Sequence, residues 1–254
     1  MSQISPLYYG IIPARYGSSR LPGKPLIDIW GKPMFWYVYQ NAVESNIFRS
    51  VVLATDSEEI AESAHQLSIP YVMTSVEHIS GTDRVYEAAI KMNIEPDSVV
   101  VNIQGDEPLV KPEAIQQLVE PFIDVSIQVT TLSTRITANQ AMLPHQVKVV
   151  VSSNGDALYF SRAAIPYLRD NDTDGYYLGH IGLYAFRMHT LDKFVHLPPS
   201  QLEQFEKLEQ LRLLENNIPI RVVNTNHTSQ GVDTVEDLEI VQGLLAQRME
   251  AVSR

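Results

Sequence analysis

Apolar and polar positions along the chain fall into two alternating rhythms. Short apolar runs at Leu7–Ile12, Val51–Thr55, Val99–Ile103 and Val147–Val151 have the length and β-branched content of strands. The second and third are almost unbroken by polar residues, the pattern of strands covered on both faces in a largely parallel sheet. Between them lie longer amphipathic stretches that predict helices at Met34–Ser45, Ser57–Gln66, Thr82–Met92 and Pro112–Phe122. Pro112 suits a first helical turn, where its missing N–H is no loss. A further helix is predicted over Leu202–Asn216, with Leu202, Phe205, Leu208 and Leu211 on one stripe and Pro219 beyond its end. A final helix starts at Thr234, with Asp237 three residues on as in a capping box.

This alternation predicts an α/β fold with a mostly parallel central sheet flanked by helices. Residues 125–186 break the rhythm. They are rich in β-branched and aromatic residues and alternate over Gly179–Phe186, which predicts a β-rich insert within one domain spanning 1–254.

Composition narrows the function classes. The chain has 254 residues, is 44% hydrophobic and 19% charged, and so can bury a full core. No apolar run reaches membrane-spanning length, and Met1–Pro6 has neither half of a secretory signal, so membrane insertion and export are not expected. Cysteine is absent, which removes disulfides and thiolate chemistry and fits a reducing, cytoplasmic setting. A net charge of −11 argues against nucleic-acid binding, which needs a positive field. It leaves room for a nucleotide enzyme whose few cations are placed locally.

Such cations stand directly after the first strand, in Pro13-Ala14-Arg15-Tyr16-Gly17-Ser18-Ser19-Arg20-Leu21-Pro22-Gly23-Lys24-Pro25. Glycines allow close backbone approach, exposed N–H groups face anionic oxygens, and Arg and Lys add charge, all of which suits a polyphosphate. The spacing is not that of a Walker loop, and Pro25 stands where a magnesium-holding hydroxyl would be needed. A surface turn with solvated cations is the alternative. The strand-end position favours a ligand, because open α/β sheets bind there.

Two acidic turns complete the candidate chemistry. Val99–Ile103 runs into Gln104-Gly105-Asp106-Glu107-Pro108, and Gly231-Val232-Asp233-Thr234 leads into the last helix. Magnesium needs only one or two carboxylates beside phosphate oxygens. Taken singly, Asp106 reads equally well as a turn residue and Asp233 as a helix cap. The seven histidines show no ligand spacing, and no nucleophile elbow of a serine hydrolase is present.

Together these segments resemble the 3-deoxy-manno-octulosonate (Kdo) cytidylyltransferases, or CMP-Kdo synthetases, over nearly the whole chain. The matching stretches are Ile12–Tyr16, Arg20–Pro25, Ala54–Asp56, Ser80–Arg84, Val101–Pro108, Val147–Val150, Ala157–Ala163, His180–Tyr184, Leu208–Arg212 and Gly231–Thr234. Asp83 stands where glutamate is common, which preserves charge. The resemblance implies a glycosyltransferase-A-like nucleotidyltransferase fold and a homodimer built partly through a β-rich dimerisation region. It also implies CMP transfer from CTP to Kdo, for lipopolysaccharide biosynthesis, with Mg²⁺ as cofactor.

Residue roles follow from the same resemblance. Arg15 and Lys24 would grip the triphosphate, lined by Ala14, Gly17 and Ser18, with Ser80, Gly81, Arg84 and Gln104 around the cytidine. Asp106 and Asp233 would hold magnesium. Arg162, His180, Tyr184, Glu209 and Gln210 would meet the sugar acid. An altered acid-sugar specificity, or a non-catalytic nucleotide-binding protein on the same fold, are the other readings. The presence of Arg15, Lys24, Asp106 and Asp233 together weighs against the latter.

Overall fold

The structure is a computed structural model that describes residues 6–17, 21–169, 176–227 and 230–252, with the backbone alone for 249–252. Four strands, β1 (Tyr8–Ala14), β4 (Ser50–Thr55), β5 (Tyr71–Met73) and β6 (Val99–Asn102), form the parallel part of a nine-stranded sheet. A short hairpin of β2 (Asp28–Ile29) and β3 (Lys32–Pro33) stands apart from it. The sheet continues through β10 (Tyr177–Arg187), antiparallel to both β6 and β7 (Val129–Ile136), and ends at β11 (Ile220–Asn224), parallel to β7. A ribbon of β8 (Lys148–Val151) and β9 (Ala157–Ser161) branches from β10. The β-rich segment therefore contributes strands to the main sheet as well as this side ribbon.

Side-chain alternation divides the core between the two faces of the sheet. On one face Ile12, Leu53, Val101 and Leu183 pack against α1 (Met34–Glu44), α2 (Glu58–Gln66) and α4 (Pro112–Val119). On the other, Ile11, Val52, Val100 and Phe186 meet α3 (Gly81–Lys91), α6 (Met188–Val195) and α8 (Leu211–Glu215). Val99, Val100 and Val101 are all fully buried. Each contributes roughly 1.5–3 kcal/mol by leaving water, which explains why this strand carries almost no polar residue. A third cluster joins Ile29 and Tyr37 to Val232, Val241 and Leu245, docking the last helix, α9 (Val235–Val252), beside the N-terminal loop.

Hydroxyl caps fix the starts of α2 and α3. Ser57 accepts from the Ile60 N–H and Ser80 from the Asp83 N–H. A four-residue turn, α5 (Ala138–Ala141), has a full capping box at Thr137 and Gln140.

The single helix predicted over Leu202–Asn216 does not form. It is divided into α7 (Gln201–Glu206) and α8, because Lys207 takes a left-handed conformation with φ 53°. That backbone is uphill for a residue with a Cβ. It is held in place by Arg162, whose guanidinium donates to the carbonyls of Glu206 (2.7 Å), Lys207 (3.3 Å) and Pro144 (3.1 Å). Leu208, Glu209 and Gln210 consequently sit in a non-helical link. Glu209 and Gln210 are thereby released from the ~100° divergence of neighbours on a helix.

Candidate active site

The carboxyl ends of β1 and β6 lie side by side, with the Ile103 N–H donating to the Ile11 carbonyl at 3.0 Å. The loops that leave them almost touch. A Cβ at Gly105 would stand 2.6 Å from the Pro13 carbonyl oxygen, so the crossing requires glycine. Gly105→Ala is expected to cost about 1–3 kcal/mol and to lower the melting temperature by roughly 3–10 °C. An unchanged melting curve would show that the two loops separate freely.

Past this crossing the chain builds a cavity of about 280 Å³. Ala14, Arg15 and Lys24 come from the first loop, Ser80, Gly81 and Arg84 from the start of α3, Gln104 and Asp106 from the second loop, and Asp233 from the entry to α9. Gly17 is exposed and outside this lining, and Ser18 lies outside the described residues. Asp106 and Asp233, 127 residues apart in the chain, both line this cavity. The Lys24 ammonium lies between them, 2.6 Å from Asp106 Oδ2 and 3.1 Å from Asp233 Oδ1.

Local hydrogen bonding explains how Asp233 reaches this place. The Val232 N–H donates to the Asp106 carbonyl at 2.9 Å, which ties the two acidic turns together. Helix capping falls to the next residue: the Asp237 N–H donates to Thr234 Oγ1 (3.2 Å), and the Thr234 N–H donates back to Asp237 Oδ2 (2.9 Å). The Asp233 carboxylate is thus not the cap. Hydrogen bonds from the Asp233 and Thr234 N–H groups lower the Asp237 pKa against the opposing effect of burial.

Arg84 is 2% exposed and donates to Asp56 (2.6 Å) and Thr74 Oγ1 (2.5 Å). It therefore stiffens the cavity wall with its charge already paired. One turn further along α3, Glu87 pairs with His78. Burial works against ionisation of Glu87, yet Lys91, the Ser75 N–H and His78 pull its pKa down to about 2. His78 was not among the residues expected in the site; it also lines this cavity.

A second cavity of about 290 Å³ adjoins the first and shares Gln104 and Asp106 with it. His180, Gly182, Tyr184 and Phe186 line it from alternate positions of β10, and Glu209 and Gln210 from the link before α8. The ladder between β7 and β10 shifts register between Ile181 and Tyr184. Thr131 Oγ1 fills the irregularity, donating to the Leu183 carbonyl (2.8 Å) and lying 3.0 Å from His180 Nε2.

Burial pushes the His180 pKa down to about 3, so its ring is neutral at physiological pH. Burial raises the Tyr184 phenol well above its ordinary value. It raises the Glu209 carboxyl too, opposed by the Thr82 hydroxyl and by Arg212. The buried Tyr184 phenol has the Thr131 hydroxyl beside it, and two buried polar atoms of this lining have no hydrogen-bond partner: Asn102 Oδ1 and Gln210 Nε2. Left so, each costs about 1–3 kcal/mol, which marks the cavity as shaped for a polar ligand.

Arg162 departs from expectation. It lines neither cavity, and its guanidinium is spent on the three carbonyls around Lys207. Its place is behind the link that carries Glu209 and Gln210.

A strand-end loop carrying Arg15 and Lys24, two converging carboxylates and an adjoining polar cavity thus meet at one edge of an α/β sheet. The chain belongs to the cytidylyltransferase family, whose model matches residues 9–222. It is 58% identical over 242 residues to the 3-deoxy-manno-octulosonate cytidylyltransferase of Nitratidesulfovibrio vulgaris (strain DP4), covering 94% of this chain and 96% of that protein. The enzyme of the same name from Acidobacterium capsulatum is 48% identical over 241 residues, with 94% and 96% covered. Among solved structures, a CMP:2-keto-3-deoxy-manno-octonic acid synthetase complexed with CTP superposes with a TM-score of 0.90 at 43% identity, covering 95% of this chain and 99% of that one. A cytidylyltransferase from Leptospira borgpetersenii, at 17% identity and a TM-score of 0.64, shares the fold.

Proposed function

We propose that the protein transfers CMP from CTP to the anomeric hydroxyl of Kdo, releasing pyrophosphate, and so activates this sugar for lipopolysaccharide biosynthesis. The observation that carries the reading is the pair of cavities meeting at Gln104 and Asp106. One lies at a strand end and carries Arg15 and Lys24 for a triphosphate beside two carboxylates for a metal; the other is polar and carries an unpaired donor and an unpaired acceptor, as a polyol requires. An in-line displacement at the α-phosphorus needs the hydroxyl and the leaving group on opposite sides of the transferred group, and two cavities with a common wall provide that arrangement.

In this reading Arg15 and Lys24 hold the triphosphate and oppose the negative charge that grows on the leaving pyrophosphate. Ala14, Ser80, Gly81 and Gln104 surround the nucleotide, and Arg84 braces the wall. Asp106 and Asp233 would hold Mg²⁺. They fit it because two carboxylates already flank one cation, the Lys24 ammonium, at the open side of the cavity. When bound, the metal supplies Lewis-acid neutralisation of phosphate charge. His180, Tyr184, Glu209 and Gln210 bind the sugar.

The cytoplasm is the proposed location; no helix among the described residues is long and apolar enough to cross a membrane. A homodimer is proposed through the β8–β9 side of the molecule, where Leu158, Tyr167 and Tyr176 are all exposed.

Phosphorus NMR of the protein with CTP, Kdo and Mg²⁺ tests the reaction. Pyrophosphate and one new phosphodiester signal are expected in equal amounts; CDP or free CMP as the first product would contradict it. Gln210→Ala is expected to raise the KM for Kdo about tenfold, on the scale of one lost hydrogen bond, with the KM for CTP nearly unchanged. An effect on CTP instead would reassign the second cavity.

A further inference from the structure

An asparagine near the end of an otherwise apolar, doubly buried strand needs a reason to be there. Asn102 is 2% exposed and closes β6. Its cross-strand neighbour on β10 is Tyr184, so the two side chains share the face that lines the second cavity. Asn102 Nδ2 donates to Thr82 Oγ1 at 3.3 Å, which turns the amide oxygen away from Thr82 and leaves Oδ1 without a partner.

Thr82 is itself 6% exposed, in the first turn of α3. Its hydroxyl also interacts with the Glu209 carboxylate, to which Ser80 Oγ donates at 3.3 Å. One short chain of groups therefore runs from Ser80, in the nucleotide cavity, through Glu209 and Thr82 to Asn102. Two unpartnered buried side-chain atoms, Asn102 Oδ1 and Gln210 Nε2, belong to this one cavity.

We infer that Asn102 is a sugar-binding residue whose Oδ1 accepts a hydrogen bond from a hydroxyl of the acceptor, and that Thr82 is the positioning residue that fixes the Asn102 amide and the Glu209 carboxylate for it. The inference rests on the reading of the second cavity as the sugar site. An amide oxygen accepts and cannot donate, so it faces a hydroxyl of the sugar and not its carboxylate. Gln210 Nε2, an unpaired donor in the same cavity, complements it.

Pyrophosphate release by the full-length enzyme, with CTP and Mg²⁺ saturating and Kdo varied, gives the sugar KM; calorimetric titration of CTP without sugar gives nucleotide affinity. Thr82→Val keeps the side-chain shape and removes the hydroxyl, and Asn102→Ala removes the amide. Each is expected to raise the Kdo KM by about tenfold or more, with CTP affinity changed by less than about twofold. Thr82→Ser, which restores the hydroxyl, should return the Kdo KM to within about threefold of the parent. A Kdo KM that stays at the parent value in folded Thr82→Val would overturn the inference. So would an equal loss of CTP affinity, or a failure of Thr82→Ser to rescue. Should Asn102→Ala not fold, the two Thr82 variants carry the test alone. A parent enzyme that does not use Kdo at all would instead sink the reading of the cavity, which separates the two failures.

Discussion

Asp106→Asn and Asp233→Asn are each expected to cut turnover by about a thousandfold or more while leaving the protein folded, on the scale of losing a charge that organises phosphoryl transfer. Asparagine keeps the shape of aspartate and removes its charge, so the substitution isolates electrostatics from packing. Asp233 is the sharper test. If it served only to cap α9, asparagine would cap equally well and activity would survive. Capping is done by Thr234 with Asp237, and the Asp233 carboxylate faces the Lys24 ammonium. The backbone bond from Val232 to Asp106 does not depend on either carboxylate, so the two turns should stay joined in both variants. Steady-state turnover and a melting curve on each variant check this. A fully active Asp233→Asn enzyme would retire the pair as a metal site.

Lys24→Ala is expected to lower turnover by about a hundredfold or more, the usual scale for removing one preorganised charge donor from a transition state. A solvated surface lysine would be nearly neutral to remove. Lys24 is not one: its side chain is 12% exposed and its ammonium contacts both aspartates. Its backbone is held as well, by the Lys24 N–H donating to the Leu21 carbonyl and by Gly23 at φ 65°. Without Lys24 the two carboxylates face each other with no cation between them, so weaker nucleotide binding should accompany the slower chemistry. Near-parental turnover in folded Lys24→Ala would return this residue to the status of a surface charge.

Much of the fold was legible because burial on both faces leaves a plain trace. Val99–Ile103 and Val51–Thr55 read as strands, and both lie in the parallel part of the sheet. Thr234, with Asp237 three residues on, marked the start of α9 from local chemistry alone. What escaped depends on contacts distant in sequence. The break at Lys207 is invisible in the stripe of Leu202, Phe205, Leu208 and Leu211, because it is held by Arg162 from another part of the chain. β5, with three residues, is too short to carry a rhythm.

The site was legible in the same uneven way. Arg15, Lys24, Asp106 and Asp233 stand in loops at strand and helix ends, where position alone argues for a ligand, and the structure brings them together. Arg162 did not follow, because a guanidinium that serves three carbonyls looks no different in sequence from one that serves a substrate. Asn102 did leave a signal, one amide inside a run of valines and isoleucines, which marks a buried polar group in need of a partner. His78 left none of comparable strength.

The most direct test of the central claim is pyrophosphate release measured with each of the four ribonucleoside triphosphates against a panel of acid sugars, in Mg²⁺. A cavity built to hydrogen-bond one base edge leaves polar groups unpaired with another, and discriminates by orders of magnitude. The account predicts rapid release with CTP and Kdo together, far slower release with ATP, GTP or UTP, and almost none without the sugar. Comparable release with ATP or GTP, or release from CTP that does not depend on an acid sugar, would contradict it.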